Sequence, residues 1–207
     1  MSAAGANHAA LILAAGGSRR LGRAKQSLRR DGETLLHRAV RLAAQTAPSR
    51  LLVVLGAQSE ALRDGIADLG ADIRINDDWE RGLASSLQTG AAALSAHTGP
   101  VLILACDQPA LELAHLQALL SGAARSRSGC AATRHDGAPG IPAVVSDELM
   151  TQARALRGDR GFGALLARLP PHELAWVDDP ALGWDIDVEA DVERAVALGL
   201  LDGGASA

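Results

Sequence analysis

Four short runs with the length and composition of buried strands frame this chain: Ala9–Ala14, Leu51–Leu55, Asp72–Ile75 and Val101–Ala105. Between them lie helical patterns at about Thr34–Ala47, Ser59–Leu69 and Leu83–Ala96. Strands that alternate with helices and stay apolar along their length are covered on both faces, which is the pattern of a parallel sheet between two helical layers. Farther along, Cys130–Thr133, Ala143–Val145, Leu174–Val177 and Trp184–Ile186 read as further strands. Glu189–Leu198 reads as a last helix, with Gly199 at its C′ position. Asp136–Pro142 contains Gly137, Pro139, Gly140 and Pro142 and reads as an irregular loop; Gly158–Gly163 reads as a second glycine-rich loop.

Without repeat or linker, the 207 residues suit one domain, 1–207, with tails at 1–8 and 203–207 expected to be flexible. Phe162 is the only phenylalanine and there is no tyrosine, so the core must be aliphatic. A surface that stacks nucleic-acid bases needs exposed aromatics. The net charge of −4, spread along the chain, also disfavours a nucleic-acid partner. Two cysteines in no metal-ligand spacing suit a reducing compartment. The first residues lack the basic and apolar regions of a signal peptide, and no apolar run approaches the roughly 20 residues that cross a bilayer. The expectation is a cytoplasmic protein with no membrane partner.

The first strand runs straight into Ala15, Gly16, Gly17 and Ser18, then into Arg19, Arg20, Arg23 and Lys25. In open α/β sheets ligands bind beyond the carboxyl ends of the strands. Glycines there let backbone N–H groups turn inward as an anion-binding nest, and Arg20 and Lys25 add full charges. A local cationic cluster in an acidic chain points to a small anion such as a phosphate. The stretch is neither a P-loop nor a G-x-G-x-x-G dinucleotide fingerprint. The plainer alternative is a glycine turn followed by solvated basic surface.

Asp107 follows the strand Val101–Ala105 directly, where a carboxylate faces the ligand crevice and suits Mg²⁺; it could equally cap a helix beginning near Leu111. Alternation along a strand would put Asp185 and Asp187 on one side, and Asp187 is also placed to cap the last helix. Ser86 lies in a small-residue stretch, Gly82–Gly90, preceded by Asn76 and Trp79, where a flat group could approach closely or a helix could simply pack. Cys106 reads as a small buried thiol.

Taken together, these motifs resemble the MobA-like nucleotidyltransferases. Residues Leu13 to Lys25 resemble L-A-A-G-x-S-x-R-M-G-x-x-K, with Leu21 in place of Met. Cys106-Asp107-Gln108-Pro109 resembles G-D-Q-P, and Asp185-Ile186-Asp187 through Asp191 resembles D-I-D-T-P-E-D without its Thr-Pro. Asn76, Trp79, Gly82, Ser86 and Gly90 match a pattern of the molybdopterin cytidylyltransferase branch. Gly140-Ile141-Pro142 and Gly158-Asp159-Arg160-Gly161 resemble two loops that wall the acceptor pocket.

The resemblance implies an α/β, three-layer Rossmann-like nucleotidyltransferase (GT-A-like) fold with a mostly parallel central sheet. It implies Mg²⁺-dependent transfer of CMP from CTP to the phosphate of molybdenum–molybdopterin, giving molybdopterin cytosine dinucleotide and diphosphate. Ala14, Ala15, Gly16, Gly17, Ser18, Arg20 and Lys25 would wrap the nucleotide, with Ser86 near base and ribose. Arg20, Lys25 and Asp107 would be catalytic, and Asp107 and Asp187 would hold the metal. A recipient molybdoenzyme would be a transient partner. Other readings are a guanylyltransferase, a cytidylyltransferase with a different phosphate acceptor, a non-catalytic molybdenum-cofactor chaperone, and, least supported, an NAD-dependent oxidoreductase.

Overall fold

A computed structural model describes residues 7–183 and 185–203. Every residue of β1 (Ala9–Ala14) is buried, as its unbroken apolar composition requires. It pairs in parallel with β4 (Arg50–Leu55) on one side and β6 (Val101–Ala105) on the other. Beyond β4 lies β5 (Asp72–Ile75), also parallel. On the other flank, β8 (Ala138–Val145) runs antiparallel to β6 and to β7 (Cys130–His135), and β9 (Leu174–Val177) closes the edge parallel to β7. The sheet order is β5-β4-β1-β6-β8-β7-β9. A separate antiparallel pair, β2 (Arg29–Arg30) and β3 (Glu33–Thr34), follows the loop after β1.

Alternate residues of β1 feed two cores. Ala10, Ile12 and Ala14 pack with α1 (Leu35–Ala44), α2 (Ser59–Asp64) and α4 (Leu113–Arg125). Ala9, Leu11 and Leu13 pack with α3 (Leu83–Ala93), α5 (Asp147–Thr151) and α6 (Gly163–Leu166). This is the expected three-layer, mostly parallel α/β fold. A third cluster joins Leu21 and Leu35 to Ile186, Val192, Ala195 and Leu201, so α7 (Glu189–Ala197) packs against the loop that follows β1. Gly199 takes a left-handed conformation just past α7, as a C′ glycine does.

Several expectations are corrected. Asp136–Pro142 is not an irregular loop. Asp136 and Gly137, both at positive φ, make the tight turn of a β7–β8 hairpin, the conformation that Asp-Gly favours. Pro142 is accommodated because the pairing shifts register between Ala132 and Thr133, which leaves Ile141 and Pro142 without Cα partners in the β7–β8 ladder, whereas Pro139 pairs in register with Arg134. The expected strand Trp184–Ile186 is absent over Asp185 and Ile186, and Trp184 lies outside the described residues. Instead Ile186 N donates one backbone bond to Asp107 O at 3.0 Å. The helix at Ser59–Leu69 ends at Asp64 and resumes as a 3₁₀ turn, Ala67–Leu69. Of the expected tails, residues 1–6 and 204–207 lie outside the described residues. His8 is not a frayed end: it is buried, and its Nε2 is 2.9 Å from Thr46 Oγ1.

Candidate active site

The carboxyl ends of β1 and β6 open into a cleft of about 450 Å³. Ala14, Ala15, Gly16, Gly17 and Ser18 line it from β1, with Lys25, Ser86 and Asp107 facing them. Eight of the residues singled out from the sequence thus line one cavity. Arg20 and Asp187 stand outside that lining and pair with each other at 2.7 Å.

Gln26, which the sequence reading did not single out, holds the glycine loop in shape. It is fully buried, and its Nε2 donates to Ala14 O at 3.0 Å and Gly16 O at 2.8 Å. Ser18 Oγ accepts from Lys25 N at 3.1 Å, which aims the Lys25 side chain back at the cleft. Trp79 supports the loop from beneath. A Cβ on Gly17 would lie 2.7 Å from two ring atoms of Trp79, so only glycine lets this backbone approach the ring. Arg19 stacks over the same ring, 5.3 Å from its centre, and pairs with Glu80. Arg19 falls on a variable position of the motif, yet it is the arginine that lines the cleft.

Lys25 Nζ is the electrostatic hub. It lies 2.5 Å from Asp107 Oδ2, 3.6 Å from Asp187 Oδ1 and 3.4 Å from Ile186 O. Burial alone would lower its pKa, but Asp107, with smaller contributions from Cys106 and Asp187, outweighs that and holds the ammonium above its ordinary value. Lys25 is thus a fixed positive charge. Cys106 is buried, and burial together with Asp107 pushes its thiol up to about 12, so it is an inert packing group as expected.

Neither acidic residue is used as a helix cap. The first residue before α4 is Glu112, not Asp107, and it caps through no side-chain bond. At α7, Asp191 Oδ2 accepts from both Asp187 N and Val188 N at 2.9 Å. That leaves the Asp107 and Asp187 carboxylates free to meet Lys25. Asp185 lines the cleft beside Asp107. Burial, then the Asp107 charge, pushes its carboxyl up to about 6. Among the described residues no three His, Cys, Asp or Glu side chains form a ready-made metal cage. Two carboxylates gathered on one ammonium, with a third crowded against the first, are nonetheless the donor set that a divalent cation relieves, and Mg²⁺ needs only one or two carboxylates beside phosphate oxygens and water.

The pattern of the MobA-like NTP transferase domain matches residues 10–174. The chain belongs to the MobA-like NTP transferase family. This MobA-like protein is 31% identical over 193 residues to the nicotine blue oxidoreductase of Paenarthrobacter nicotinovorans, covering 89% of this chain and 94% of that one. It is 31% identical over 171 residues to the probable molybdenum cofactor guanylyltransferase of Opitutus terrae, covering 82% of each. Among solved structures, Rv0371c of Mycobacterium tuberculosis superposes with a TM-score of 0.77 at 27% identity, over 91% of this chain and 97% of that one. A manganese complex of Rv0371C superposes with a TM-score of 0.75 at 23% identity, over 92% and 98%. One relative of this MobA-like chain thus carries an oxidoreductase name. No helix among the described residues is long and apolar enough to cross a membrane.

Proposed function

We propose that this chain transfers the CMP group of CTP to the terminal phosphate of molybdenum–molybdopterin, releasing diphosphate, as one domain acting in the cytoplasm. The carrying observation is the convergence of Lys25, Asp107 and Asp187 at the mouth of a glycine loop. The acceptor phosphate oxygen attacks the α-phosphorus, and the bond from that phosphorus to the bridging oxygen of the β-phosphate breaks. The nucleophile is already an anion, so no general base is required. The difficulty is holding two anions together, which calls for positioning and fixed positive charge.

Lys25 meets the phosphates from within the cleft, and Arg20 meets them from the rim once its Asp187 contact is exchanged. The N–H groups of Gly16, Gly17 and Ser18 complete the cradle. Asp107 and Asp187 would hold Mg²⁺, which when bound neutralises charge at the reacting phosphates; the manganese complex of Rv0371C supports a divalent ion. Ser86, on the same cleft wall, faces base and ribose.

The Ala14-Ala15-Gly16 sequence favours CTP by its resemblance to the cytidylyl branch. GTP is the second reading, favoured by the Opitutus terrae relative. One assay separates them: CTP, GTP and ATP, each with Mg²⁺ and molybdopterin, scored by diphosphate release. CTP is the expected substrate, and a preference for GTP overturns the cytidylyl reading. Cofactor binding without diphosphate release would mark a carrier that delivers the cofactor to a recipient molybdoenzyme.

A further inference from the structure

We infer that Asp159 reads the donor nucleotide, accepting a hydrogen bond from the exocyclic amine of cytosine and turning uracil away. This rests on CTP being the donor.

The resemblance assigns the loop of Gly158-Asp159-Arg160-Gly161 to the acceptor side, but its packing brings it to α3. Gly158 O accepts from Ala84 N at 2.9 Å, in the first turn of that helix. Gly82 sits at φ +93°, and a Cβ there would fall 2.5 Å from Asp159 Oδ1 and 2.7 Å from Gly158 O. The absent side chain at Gly82 is what lets the Asp159 carboxylate stand beside the start of α3. From there it lines the cleft that Ala15, Gly17 and Ser86 also line.

Two carboxylates on this side of the cleft differ in their neighbours. Glu80 is neutralised by Arg19. Among the described residues Asp159 makes no hydrogen bond or ion pair. A carboxylate with no cation beside it repels a triphosphate, so its part of the cleft suits the uncharged nucleoside, while Lys25 marks the phosphate end. At that position cytosine presents an N4 amine and uracil a carbonyl oxygen. A carboxylate accepts from the first and repels the second, discriminating by attraction and by repulsion together.

The test is titration calorimetry of CTP, UTP and GTP with Mg²⁺ on the full chain and on Asp159→Asn and Asp159→Ala. Wild type should bind CTP at least about tenfold more tightly than UTP. Asp159→Asn, whose amide donates to the uracil oxygen, should lower that ratio about tenfold, chiefly by tightening UTP. Asp159→Ala should weaken CTP without strengthening UTP. A CTP-to-UTP ratio equal in all three proteins, including an equal loss of both nucleotides, overturns the inference and leaves the proposed donor standing. A wild-type preference for GTP overturns both.

Discussion

Lys25 Nζ lies 2.5 Å from Asp107 Oδ2, joining the loop after β1 to the end of β6 across the cleft. Both side chains are largely shielded, at 18% and 14% exposure, so the pair is screened much less than the surface pairs around it. It holds the cation and the proposed metal ligand in place before any substrate arrives. Lys25→Ala should lower turnover about a hundredfold, as removal of one preorganised charge at a developing anion does. The same variant leaves Asp107 without its cation. Near-normal diphosphate release by Lys25→Ala would sink the proposed mechanism.

Trp79 makes Gly17 irreplaceable. A methyl group there meets the ring at 2.7 Å, so Gly17→Ala should displace the loop and weaken CTP binding about tenfold. Shrinking the ring in Gly17→Ala/Trp79→Leu should recover part of the loss. Calorimetric Kd values for the two single variants and the double variant check this, and strict additivity would contradict a direct clash.

Gln26→Leu removes both bonds to the loop carbonyls and leaves Ala14 O and Gly16 O without that donor. The expected destabilisation is about 1–3 kcal/mol in urea unfolding. A rise in KM for the nucleotide should accompany it, because the loop loses its fixed shape. Unchanged stability and KM would show that Gln26 is dispensable.

Glu33 links folding to acid. Hydrogen bonds from Arg41, opposed by burial and aided by His37, lower its carboxyl from an ordinary 4.5 to about 2. The folded state therefore binds this proton less readily than the unfolded chain. The stabilisation is complete above pH 4.5 and is lost as the pH falls toward 2. After allowance for solvent screening, Glu33→Gln should cost about 1–2 kcal/mol at pH 7 and almost nothing near pH 2. Melting temperatures across that range test it, and an equal loss at both ends would refute the linkage.

What was legible in the sequence was local. Continuous apolar runs disclosed β1, β4 and β6, because burial on both faces leaves little freedom in composition, and the family resemblance singled out the glycine loop, Ser86 and Asp107, which line one cleft. The β7–β8 hairpin was hidden by its glycines and prolines, although Asp136-Gly137 is itself a hairpin signal. Other features depend on partners distant in sequence. Gln26 matters through the two carbonyls it meets, and Arg19 reaches the cleft by stacking on Trp79.

The sequence by itself determined a layered α/β chain with a cationic glycine loop at the end of its first strand. Only the tertiary structure decided what the acidic residues do. Asp107 and Asp187 suit helix caps as well as cleft carboxylates on sequence grounds. Asp191 takes the backbone N–H groups at α7, and Lys25, brought back by Ser18 and Gln26, takes the other two carboxylates. A carboxylate's role is set by the donor that reaches it first in the folded chain, and a linear sequence does not contain that distance.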